Sequence, residues 1–137
     1  MPRVIAYFVQ NPRRLFLLDC GGALLTACCL GVVASAFPKL FGMPRPALLG
    51  LAALGCLYAA FSGSCAYVVG GRWRLFLLII VLGNLLYFAL LLGLSAWYYH
   101  WLTTLGVSYF LAEALVVLTL VVVEGWVLVT SAPGKDR

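Results

Sequence analysis

An all-α bundle of four membrane-crossing helices is the fold the chain predicts, and three observations carry it. Of its 137 residues, 65% are hydrophobic and only 9% charged, with a mean hydropathy of +1.10. A soluble domain of this size could not hide that much apolar surface from water. Four apolar runs, at about 15–37, 47–69, 75–99 and 105–130, each approach the ~20 residues that cross a ~30 Å hydrocarbon core. Those runs use up nearly the whole chain, so a single domain, 1–137, is expected, with no soluble appendage.

Residues 1–12 come first. The stretch "PRVIAYFVQ" is short, apolar and basic, which suits a segment lying along the membrane interface. The first span is expected to start at Asn11-Pro12, an N-cap followed by proline at the first helical position. Ala34-Ser35-Ala36 resembles a signal cleavage site, but the run before it is too long for a signal peptide and contains Asp19, so the span is read as retained. Next comes "PKLFGMPRP", whose three prolines predict a stiff, ordered turn. "GGRWR" is the turn between spans two and three. "AWYYHW", residues 96–101, is an aromatic belt at the opposite surface, with Trp73 and Trp126 as counterparts. His100 belongs to that belt and is the only histidine, which rules out bis-histidine haem ligation within one chain. The cysteines Cys20, Cys28, Cys29, Cys56 and Cys65 all fall inside spans with no CxxC spacing, which suits small packing residues better than a disulfide framework or a redox pair.

Basic residues set orientation. Arg3, Arg13, Arg14, Arg72, Arg74, Lys135 and Arg137 flank one side, and Lys39 and Arg45 the other. Seven against two predicts both termini in the cytoplasm. The net charge of +5 then reads as affinity for anionic lipid headgroups. It does not read as affinity for nucleic acid, because the basic residues occupy membrane-flanking positions.

Small residues recur at every fourth position in the first two spans: Asp19, Ala23, Ala27, Gly31, Ser35, then Ala52, Cys56, Ala60, Ser64, and beside those Gly55, Ala59, Gly63. In lipid, close backbone approach through small residues is a main device for packing helices. Spans one and two are therefore expected to pack tightly together, with homodimerisation through the same faces as the alternative use. Spans three and four carry bulkier side chains and should turn more of their surface to lipid.

Ionisable side chains at membrane depth cost roughly 2.5–3.5 kcal/mol each on insertion scales and call for a partner or a purpose. Counting ~1.5 Å per residue from the span ends, Asp19 lies about 6 Å deep and Glu124 about 4 Å, within snorkelling reach of Arg13, Arg14, Arg72 and Arg74. These residues read either as a salt-bridge layer or as the inner gate of an ion or proton path. Glu113 lies about 9–12 Å below the other surface, level with Thr26, Tyr58, Asn84 and Tyr87. One carboxyl facing hydroxyls and an amide from the other spans is either a site for a small molecule, cation or proton, or a hydrogen-bonded lock that fixes helix register. Glu113 and Glu124 are eleven residues apart, within about 20° of one helix face, so the fourth span has a single acidic face.

"FGMP" (41–44), "NLLY" (84–87), "LTTLG" (102–106) and "YFLAE" (109–113), with Glu124 following, resemble a family of small four-helix bacterial inner-membrane proteins. That resemblance implies the architecture and an inner-membrane location, and no chemistry. Small multidrug transporters share four short helices and a buried glutamate, but theirs lies in the first span, where this chain has Asp19 nearer the surface. Nucleotide, zinc-protease, hydrolase and dinucleotide motifs are absent from the sequence, and the carboxyls and lone histidine form no catalytic or metal-binding constellation, so no cofactor is expected. Three readings stay open: a protein that binds or transports through a mid-membrane acidic site, a structural or accessory subunit whose polar residues only fix packing, and, with the least support, a membrane-embedded enzyme.

Overall fold

The computed structural model describes residues 3–68 and 70–131. Lys135 and Arg137, which contribute to the charge asymmetry, lie outside the described residues. Helix α1 (Arg3–Gln10) is followed by α2 (Pro12–Cys28), which continues through a π-helical stretch, Cys29–Ala34. A single turn, α3 (Pro38–Phe41), leads to α4 (Arg45–Tyr67), α5 (Trp73–Trp97) and α6 (Thr104–Thr130). Four of these elements, Pro12–Ala34, Arg45–Tyr67, Trp73–Trp97 and Thr104–Thr130, are long and apolar enough to span a membrane. The chain is a multi-pass membrane protein.

The break between α1 and α2 follows from local chemistry. Proline at 12 has no N–H to give and a φ already suited to a first helical turn, and Asn11 stands at the N-cap position without a side-chain capping bond. The Asn11 amide turns back to donate to the Tyr7 carbonyl at 3.1 Å, closing the end of α1. Ile5 of α1 is buried, and Phe8 and Val9 pack with it onto the apolar cluster at this end. The interfacial segment is thus a short helix with one face docked on the bundle.

α2 and α4 form the closest pair, as small residues in lipid require. A Cβ on Gly55 would stand 3.2 Å from the Ala23 carbonyl oxygen and 3.3 Å from the Ala27 Cβ. One on Gly31 would meet the Ala52 Cβ at 3.4 Å, and one on Gly63 the Cys20 Sγ at 3.4 Å. The buried positions of α4 are Leu48, Leu51, Ala52, Gly55, Ala59, Ser62, Cys65 and Ala66. Leu48, Ala52, Gly55, Ala59, Ser62 and Ala66 alternate steps of four and three, the spacing that holds one face along a helix, and Leu51 and Cys65 flank that file. A file of strict fourths drifts about 40° per step, so Cys56, Ala60 and Ser64 come out exposed. α5 and α6 pair as a second hairpin and turn bulky groups outward, with Leu86 60% and Leu115 66% exposed. The first span does so at least as much, with Leu25 and Val32 each 67% exposed, so the expected contrast between the two halves is not found.

The far end of the bundle is stapled. Gly42 adopts φ +81°, the left-handed conformation that glycine takes without strain. Its Cα is pressed against the Trp101–Leu102 backbone, leaving no room for a side chain. Gly106 lies as closely on the Phe41 carbonyl. The Thr103 hydroxyl donates to the Leu40 carbonyl and accepts from the Gly106 N–H at 3.0 Å, capping α6. The proline-rich loop is therefore ordered, and it is locked to the connection between the second pair of helices.

Candidate functional site

The interior has three layers. One apolar cluster, including Leu30, Phe41, Leu48, Leu91 and Phe110, fills the loop end. A second, including Leu15, Phe16, Leu77, Ile80 and Val127, fills the end holding α1. Between them sit the buried carboxyls, with Ser62 and Asn84.

Asp19, Ser62, Asn84 and Glu124 form one cluster, with exposures of 3%, 1%, 7% and 0%. Each comes from a different helix. The Asn84 Nδ2 donates to Asp19 Oδ1 at 3.0 Å and to Glu124 Oε2 at 3.1 Å. The Ser62 hydroxyl donates to Asp19 Oδ2. Glu124 Oε1 is buried without a partner among the described residues. Asn84 therefore stands with Asp19 and Glu124 and not, as depth counting had it, at the level of Glu113. Counting residues treats helices as upright and neglects several ångströms of side-chain reach, and α2 begins earlier, at Pro12, which takes Asp19 deeper.

The arginines are elsewhere. The Arg14 guanidinium donates to the Tyr7 hydroxyl and stacks 5.5 Å from that ring. Arg13 lies 5.7 Å over the Tyr67 ring. Arg74 donates to the Leu128 carbonyl at 3.2 Å, and Arg72 is the exposed N-cap of α5. Among the described residues, no hydrogen bond joins these arginines to Asp19 or Glu124. The acidic layer is held by an amide and a hydroxyl.

Glu113 forms a second centre. The Tyr87 hydroxyl donates to its Oε1 at 2.6 Å, while Oε2 is buried and unpartnered. Tyr58 turns to the backbone instead, donating to the Gly83 carbonyl at 2.7 Å. Gly83 makes room for it, since a Cβ there would lie 2.6 Å from the tyrosine ring. A cavity of about 40 Å³ is bordered by Asp19 and Asn84 of the first centre and by Thr26, Tyr58 and Tyr87, the last of which bonds Glu113; Glu113 itself does not line it. Of the residues expected around Glu113, the structure brings Tyr87 to it by a hydrogen bond and Thr26 to it across a shared cleft, and puts Tyr58 on the neighbouring cavity. The single acidic face of α6 thus meets Asn84 and Tyr87, one turn apart on α5.

Two participants escaped the sequence reading. Ser62 falls between the every-fourth files of the second span, and the three–four alternation of α4 would have found it. Tyr109 lines a cleft with Glu113 and Thr26, and its position one turn before Glu113 on the same helix was the available signal. In comparisons with known proteins, no family model, no curated protein and no solved structure matches the chain.

Proposed function

We propose that this is a small inner-membrane protein, with both termini in the cytoplasm, that binds and carries a proton or another small cation on the Asp19–Asn84–Glu124 cluster. The observation that carries this reading is the single Asn84 amide donating to two carboxyl groups at 3.0 and 3.1 Å, with no arginine among the described residues bonded to either. Two negative charges in one dry layer are too costly to stand unbalanced, so the layer must take up positive charge. Glu124 Oε1, buried and unpartnered, is the position ready to accept it. The cavity beside Asp19 and Asn84 has room for a water or two, which supports a route from this layer toward Tyr87, the hydrogen-bond partner of Glu113. The proposal extends to a homodimer. The α2 small-residue face is occupied by α4, so the exposed file Cys56, Ala60, Ser64 is the small-residue face left for a second copy.

The test uses purified protein in liposomes with a trapped pH-sensitive or sodium-sensitive dye and an imposed potassium–valinomycin potential. Wild type is expected to pass ions faster than empty vesicles, and Glu124→Gln is expected to lose that flux. Wild-type flux equal to that of empty vesicles would sink the proposal. It would favour the second reading, a structural or accessory subunit, for which the internally satisfied Tyr58–Gly83 and Tyr87–Glu113 bonds speak.

A further inference from the structure

The seam between α2 and α6 is open toward lipid at Glu113. A cleft of about 200 Å³ lies there, lined by Leu25, Thr26, Cys29, Tyr109, Glu113 and Val116. Its rim is membrane-facing, with Leu25 67% and Val116 59% exposed, whereas Glu113 is only 7% exposed. The cleft adjoins the π-helical stretch that begins at Cys29, an irregularity often found at functional sites. Glu113 sits nine residues into α6 from Thr104, about 14 Å below that end, so the opening faces acyl chains and not headgroups.

From this cleft we infer a binding site for a compact lipophilic amine that enters sideways from the bilayer. The site goes beyond the ion-carrying layer, since it uses Glu113 and not Asp19, Asn84 or Glu124. One Glu113 oxygen is taken by Tyr87; the other makes no full hydrogen bond among the described residues, although the Thr26 and Tyr109 hydroxyls stand close to the carboxyl. Around it the cleft offers the hydroxyl oxygens of Thr26 and Tyr109. A protonated primary amine carries three N–H donors, matching three acceptors: Glu113 Oε2, Thr26 Oγ1 and Tyr109 Oη. Its charge balances the carboxylate, and its apolar body covers the leucine and valine walls. An anion would be repelled, and a neutral hydrocarbon would leave the buried oxygen unpaired. A hydrated metal ion has no path through acyl chains. The volume, comparable to that of about seven liquid waters, suits a cage-like or single-ring amine and excludes a whole lipid.

The test is thermal unfolding of the full chain in nanodiscs of phosphatidylcholine and phosphatidylglycerol, which contain no lipid primary amine. Adamantylamine is the probe, and adamantanol, with the same cage and no charge, is the control. Wild type is expected to show a melting-temperature rise that grows with the logarithm of amine concentration, with no matching rise for the alcohol. Glu113→Gln should weaken apparent amine affinity on the order of tenfold to a hundredfold. Val116→Trp, which fills the mouth from a lipid-facing position, should lose the shift, while Leu86→Trp, equally bulky on α5, should keep it. An equal response to the alcohol, a full amine response in Glu113→Gln or Val116→Trp, or no shift in wild type would each overturn the inference. Where Glu113→Gln does not fold, the tryptophan pair decides alone.

Discussion

Replacing Asn84 with leucine removes the donor shared by Asp19 and Glu124 while nearly keeping side-chain volume, so the change reads out hydrogen bonding without a large cavity term. Two bonds are lost, at 3.0 and 3.1 Å, from a side chain only 7% exposed. Hydrogen bonds to charged groups contribute about 1.5–3 kcal/mol each in soluble proteins, but interhelical bonds measured in a membrane protein average about 0.6 and reach about 1.7 kcal/mol. Two bonds on the membrane scale give a loss of about 1–3 kcal/mol. Reversible unfolding in mixed dodecylmaltoside and dodecyl sulfate micelles, followed by circular dichroism, resolves that range. Tyr58→Phe, which deletes one bond to a backbone carbonyl, should cost about 0.6 kcal/mol on the same scale. Asn84→Asp should be worse than the leucine variant because it puts a third carboxyl in the layer, and adding Asp19→Asn should recover part of the loss. An Asn84→Leu protein within about 0.5 kcal/mol of wild type would refute the bridging role, since that is less than even a single average bond on this scale. So would a swap no better than Asn84→Asp alone.

Other outcomes follow from the packing. Gly55→Leu should separate α2 from α4 and lower the melting temperature sharply, because even a Cβ there lies 3.2 Å from a backbone oxygen. Gly50→Ala, with nothing within 4 Å, should be neutral or stabilising by up to about 1 kcal/mol in the same melt. Gly42→Ala should cost at least about 1–2 kcal/mol from its left-handed backbone, and more from collision with Trp101, seen as faster hydrogen exchange at residues 98–106. If a second copy docks on the exposed α4 file, an otherwise cysteine-free chain carrying Cys56 alone should crosslink to a dimer in native membranes; a chain that stays monomeric removes that contact.

The helices and their pairing were legible because lipid imposes a simple rule on backbone polar groups: each span must satisfy its own. Asn11-Pro12 marked the first boundary to the residue, and small residues marked α2 and α4 as neighbours. The polar site was legible as a set of residues more than as an arrangement. Every buried carboxyl could be named from its place in an apolar run, but partner choice depends on helix rotation and tilt. Asn84 shows the limit: three residues before Tyr87, it joined the other acidic centre because its short side chain meets the α2–α6 layer below, while the long tyrosine reaches Glu113. The arginines misled for a related reason. Proximity to the membrane surface suggested pairing with acids, whereas aromatic faces and a helix-end carbonyl lay nearer to hand.

The wide sequence spacing within the acidic layer has a consequence for how the chain is made. Asp19 emerges from the ribosome first. Its hydroxyl partner, Ser62, follows 43 residues later, and its amide partner, Asn84, 65 residues later. At ~5–20 residues per second, the aspartate waits about 3–13 s for that amide. Through that interval the nascent first helix holds a bare carboxyl in or beside the translocon, and the serine hydroxyl is the first relief to arrive. Ser62→Ala should therefore slow or misdirect membrane integration more than it lowers the stability of the finished protein, a difference that timed protease protection during synthesis would reveal.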